Sequence, residues 1–266
     1  MATRPSPTGN ASRPSGFRRI LARDGLAVLT ASAVTIAVEL GVYAAAVLAG
    51  SGRAQAVLAT LAVTVVWLAL AAPALAASGA DAIGALLRGG CIADASAVTL
   101  IVLWLSSPQV ALPAAMRIYC ILAAMALLAV ALSCLARRAP GKSALAVATA
   151  GGFLIALASP WWVGGALRAA PQETAEKIVA AGVYINPFYA VTAAMSDSSR
   201  FVWHEAAAMY RITRIGDYAA APRAVWWASA ALHCAAGLVA AAVAAGVHRR
   251  RRNRAALERP PRPAPL

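Results

Sequence analysis

Glu39, Arg117 and His233 are the residues of this chain most capable of chemistry where chemistry is costly. Each sits within or at the end of an apolar run. A carboxyl, a guanidinium and an imidazole at such positions suit proton transfer, ion pairing or contact with a polar cargo. By a helical rise of ~1.5 Å per residue, Glu39 lies about 20 Å along the first run and His233 about 14 Å from the far end of the last. Arg117 opens the fourth run, so all three can share one depth. Glu39 is expected either to pair with Arg117 or His233, or to stand protonated and hydrogen-bonded to a neighbouring helix.

Two other groupings fail on spacing. Gly141-Lys142-Ser143 ends like a phosphate-binding loop, but Ala136 stands where the first glycine is required. His204-Glu205 begins like a zinc peptidase helix, but Ala208 replaces the second histidine. Only three histidines are present. The sequence therefore predicts no enzyme, no metal and no cofactor. Cys91, Cys120, Cys134 and Cys234 lie in or beside apolar runs, none at metal-ligand spacing, and read as packing residues.

The elements that must position these groups are membrane spans. Hydrophobic residues make up 61% of the chain and charged residues 13%, with mean hydropathy +0.69. A bilayer core of about 30 Å needs about 20 helical residues. Helices satisfy their own backbone where no water can. The reading is an all-α polytopic membrane protein with six transmembrane helices: Leu26–Leu48, Ala54–Ala77, Cys91–Ser107, Met116–Leu135, Ala144–Trp162 and Ala224–Val247. Ser106-Ser107-Pro108 breaks the third, which Val110–Met116 could lengthen past a kink.

Three segments follow from this. Residues 1–24 form a cytoplasmic N-terminal segment in which Ser12–Asp24 has the pattern of a short interfacial helix. Residues 25–247 form the membrane domain, including an extracytoplasmic cap at 168–223. Residues 248–266 form a basic, Pro-rich tail expected to be disordered near anionic lipid.

The net charge of +14 does not point to nucleic acid, because the charge gathers at span ends. Arg4, Arg13, Arg18, Arg19 and Arg23 precede the first span, and Arg88 precedes the third. Arg137, Arg138 and Lys142 separate the fourth from the fifth. Arg249, Arg250, Arg251, Arg252, Arg254, Arg259 and Arg262 follow the sixth. This bias predicts two cytoplasmic termini. Trp161-Trp162 and Trp226-Trp227 fall at the expected outer surface.

The region from Arg168 to Arg223 is too broken to span. Gln172–Met195 starts polar, turns apolar and is interrupted at Asn186-Pro187, which predicts two short helices forming a re-entrant or surface-lying hairpin. Phe201–Tyr218 reads as an amphipathic piece over the helix ends.

With its basic N-terminal helix, six spans and broken helices between the fifth and sixth, the chain resembles the permease subunits of ABC-2 type transporters. Tyr184-Ile185-Asn186-Pro187-Phe188-Tyr189-Ala190-Val191, with Arg200 beyond, is similar to that family's segment after the fifth span. Asp81-Ala82-Ile83-Gly84-Ala85-Leu86-Leu87 is similar to its acidic stretch after the second, without the glutamate-rich core. The resemblance implies a separate cytoplasmic ATPase contacting the loop Ser78–Gly90 through Asp81, Gly84 and Arg88. It implies a second permease chain, identical or related, and export across a bacterial inner membrane. Asn186, Pro187, Phe188 and Tyr189 would form the cap motif. Lipids are the other partner. The competing expectation is a non-transport polytopic protein: an assembly factor, anchor or regulatory subunit. An outer-surface enzyme built on His204, Glu205 and Asp217 has no spacing in its favour.

Overall fold

The computed structural model describes residues 16–77, 82–108, 110–136, 148–152, 155–156, 165–196 and 226–257. Among these, helices are the only regular structure: α1 (Gly16–Leu48), α2 (Arg53–Ala77), α3 (Ala82–Ser106), α4 (Leu112–Ala136), α5 (Gln172–Ile185), α6 (Pro187–Ser196) and α7 (Trp226–Leu257). Five of them, α1 to α4 and α7, are long and apolar enough to cross a membrane. The chain is a multi-pass α-helical membrane protein. Most of the expected fifth span lies outside the described residues, as do Trp161-Trp162, Asp81, the segment 137–147 and all of 197–225.

Helix α4 is the axis of the fold. It packs most extensively on α7, and also on α3, α2 and α6. Its contacts bury Ile118, Ile121, Leu122 and Met125 beside Leu61, Leu68, Leu103 and Met195 from the neighbouring helices. Small residues permit this closeness. A Cβ on Gly237 of α7 would stand 3.1 Å from the Leu128 nitrogen and 3.1 Å from Leu127 Cγ. A Cβ on Gly89 of α3 would collide with Val130 of α4.

Local signals explain the helix ends. Gly50 takes φ 80. Its N–H donates to Val47 O at 3.1 Å, and the Ser51 N–H donates to Ala46 O at 3.0 Å. This pair of bonds closes α1 with a left-handed glycine. It turns the chain into α2 within a few residues. Pro113 falls in the first turn of α4, where its missing N–H costs nothing. Helix α2 accommodates Pro73 near its end.

Four sequence expectations are corrected. The third span begins earlier than Cys91, because α3 is helical from Ala82 and its apolar stretch runs Gly84–Ser106. Val110–Met116 does not lengthen that span; a turn at Pro108 ends α3, and α4 starts at Leu112. From Gly16 on there is no separate interfacial helix, since α1 is continuous. The basic tail is not disordered from Val247: α7 continues through Leu257, as a run of arginines and alanines favours helix.

Candidate functional site

Helix α1 meets the rest of the fold along a polar seam. Ser32, Thr35, Glu39 and Tyr43 recur every three or four residues and so share one face. That face meets α2 and α3. Ser32 Oγ lies 3.5 Å from the Cys91 carbonyl. The Trp67 indole N–H donates to Thr35 Oγ1 at 2.9 Å, while Thr35 donates to Ala31 O at 2.8 Å. Ser96 donates to Glu39 Oε1 at 2.7 Å. Tyr43 OH and Ser106 Oγ lie 3.3 Å apart.

Glu39 is the centre of this seam. It is 0% exposed, as is Ser96; Thr64 and Thr99 are each 2% exposed. By a rise of ~1.5 Å per residue, Glu39 lies about 14 Å from the Leu48 end of α1, near mid-membrane. Thr64 of α2 and Thr99 of α3 bring hydroxyls toward the same carboxyl. Neither completes a hydrogen bond with it: Glu39 Oε2, Thr64 Oγ1 and Thr99 Oγ1 are buried without a partner. Buried polar atoms are usually paired, so three orphans in one cluster mark a site.

The expected pairing of Glu39 with Arg117 or His233 is not formed. The three residues occupy different seams. Helix α1 packs chiefly on α2 and α3, whereas Arg117 and His233 belong to the α4–α7 side. The Arg117 guanidinium lies over the Trp226 ring, 5.7 Å from its centroid, a favourable cation–π arrangement. His233 turns back on its own helix, with Nδ1 2.7 Å from Ser229 O. The other expectation for Glu39, a hydrogen bond to a neighbouring helix, matches its bond to Ser96.

Gly84 and Arg88 do not lie in a loop. Both are in α3, Arg88 is 5% exposed, and its Nε donates to Gly84 O at 3.1 Å. A loop between α2 and α3 can include only residues 78–81, so Asp81 falls outside the described residues.

Asn186 and Pro187 form a helix start more than a helix break. Asn186 Oδ1 accepts the Phe188 N–H at 3.0 Å, which is the N-cap bond, and Pro187 occupies the first helical position. Asn186 Nδ2 also donates to Ala156 O at 3.3 Å. Helix α5 is polar and exposed at its start, where Lys177 and Glu173 pair at 2.6 Å. Helix α6 is buried: Tyr189, Ala190, Val191 and Met195 join the core, and Phe188 packs against it.

Sequence reasoning missed Thr64, Trp67, Ser96 and Thr99. Their signal was present as hydroxyls and one indole within apolar runs. Asp94 stands in the middle of α3, on an exposed face. There Tyr119 donates to its Oδ1 at 2.6 Å, beside a cavity of about 100 Å³ lined by Gly89, Gly90 and Ala126.

No family model, curated protein or solved structure matches this chain.

Proposed function

We propose that this chain is the membrane-spanning permease subunit of an ATP-driven, ABC-2 type exporter in a bacterial inner membrane. It works with a separate cytoplasmic ATPase and a second permease chain. One observation supports the reading above the others: the pair α5–α6, hinged at Asn186-Pro187, with α6 buried against α4, α7 and α2. Ten residues of helix rise ~15 Å, half of a bilayer core. A helix of that length among longer ones suits a re-entrant element near a transport path. In this reading 168–223 is the extracytoplasmic cap, residues 144–162 supply a sixth span, and both termini are cytoplasmic. Two permease chains rock between inward-open and outward-open arrangements as the ATPases close. The permease itself performs no chemical step.

The burial of Gly84 and Arg88 within α3 favours a second reading, a non-transport membrane protein, because it removes two residues from the surface that an ATPase would meet. Purification of the tagged protein in mild detergent separates the two. A stoichiometric ATPase that is lost on Asp81→Ala supports the permease. A preparation free of any nucleotide-hydrolysing partner, from cells that express the neighbouring genes, refutes it. Single cysteines at 197 and 254, labelled from opposite sides of the membrane, test the topology.

A further inference from the structure

We propose that Glu39, Thr64, Ser96 and Thr99 form an intramembrane binding site for a single sodium ion. The hydroxyls carry the argument first. A threonine or serine within a helix ordinarily donates to the carbonyl four residues back. Thr30, Thr35, Thr60 and Ser133 all do so here, at 2.8 Å each. Thr64 and Thr99 do not; their buried hydroxyls stand beside the Glu39 carboxyl without a well-formed hydrogen bond to it or to their own helices. Three helices thus converge four oxygen-bearing side chains on one buried point.

The charge argument comes second. A carboxylate in an apolar interior is unstable unless it is neutralised. Among the described residues Glu39 has no basic partner, and the hydrogen bond it accepts comes from Ser96. The charged and titratable groups around it are all directed elsewhere. On α2 the charged residue is Arg53, at the far end of the helix. On α3, Asp94 is held by Tyr119, Arg88 folds back onto Gly84, and Cys91 stands more than a helical turn before Ser96. Tyr43, on α1 itself, points to Ser106.

The ligand chemistry narrows the occupant to a hard monovalent cation. One carboxylate with three hydroxyls is an all-oxygen set, suited to a hard cation. It carries one negative charge, so a monovalent ion leaves the site neutral, while calcium or magnesium leaves an uncompensated charge at mid-membrane. The site is assembled from α1, α2 and α3 alone, and stands whether or not an ATPase partners the chain.

The test uses the intact protein in lipid nanodiscs, with sodium itself as the probe. Thermal unfolding is followed in sodium chloride and in choline chloride at equal ionic strength, from pH 6 to 9, together with equilibrium binding of radioactive sodium. The expected result is one saturable site per chain. Sodium raises Tm, its apparent affinity weakens as pH falls and protons compete, Glu39→Gln abolishes binding, and Thr99→Val weakens it at least tenfold. Thr99→Val keeps the carboxyl and serves if Glu39→Gln does not fold. Equal Tm in sodium and choline at every pH overturns the site and assigns the cluster to a proton. Unchanged affinity in Thr99→Val overturns it as well.

Discussion

The apolar spans of α1 and α4 are each 24 residues long but are held in opposite ways. In the most apolar stretch of α4, 61% of residues are buried inside the fold; in α1 the figure is 11%. Helix α4 is gripped on several sides by close apolar packing, with glycines of α3 and α7 against it. Helix α1 leaves Leu26, Leu29 and Leu48 outward and is tied by a single polar face. Lipid tails compete equally well for leucine, so apolar area alone does not bring helices together in a bilayer; tight packing or hydrogen bonds must. One molecule uses both solutions side by side.

Substitutions of decreasing effect can break or sharpen that contrast. Gly237→Leu drives a branched side chain into Leu127 and Leu128. Overpacking of this kind costs about 1–3 kcal/mol, and this variant should show the largest fall in detergent Tm, with α4 and α7 separating first. Ser96→Ala strips Glu39 of its hydrogen bond and should cost about 1–2 kcal/mol, since it leaves a buried polar group unmade. Here the expected loss is selective: crosslinking between α1 and α3 falls while that between α4 and α7 holds. If both fall together, the two modes of attachment are not independent. Asn186→Ala removes an N-cap and a bond to Ala156, at about 1 kcal/mol. Proteolysis within 165–196 should increase without change at either seam. Trp67→Phe deletes only the indole donor to Thr35, and about 0.6 kcal/mol is the scale for such a bond between membrane helices. A loss of several kcal/mol would mean that the seam acts as one cooperative network.

How much of this was legible beforehand varies by residue. The apolar runs announced the membrane-crossing stretches of α1, α2, α4 and α7 to within a few residues, though not the polar extensions of α1 and α7, because bilayer thickness imposes a length that composition reveals. The start of α3 was not legible: Arg88 and the Gly89-Gly90 pair look like a loop, yet Gly89 is needed for contact with Val130 of α4, and Arg88 bonds back to Gly84 within the helix. The early start of α3 puts Asp94 in the middle of its span. Glu39 was recognisable as costly, but its partners were not. Depth can be counted along a sequence, whereas the choice of seam depends on which helices become neighbours. Thr64 and Thr99 look like any other small polar residue in an apolar run until three helices are brought together. Asn186-Pro187 was visible as an interruption; its role as a cap needed the Phe188 amide to be seen.

The left-handed turn at Gly50 has a consequence for how the protein is made. It joins α1 to α2 through so few residues that the two are suited to enter the bilayer as one antiparallel hairpin. In such a hairpin Thr35 and Glu39 would already face Trp67 and Thr64 before the third segment is threaded.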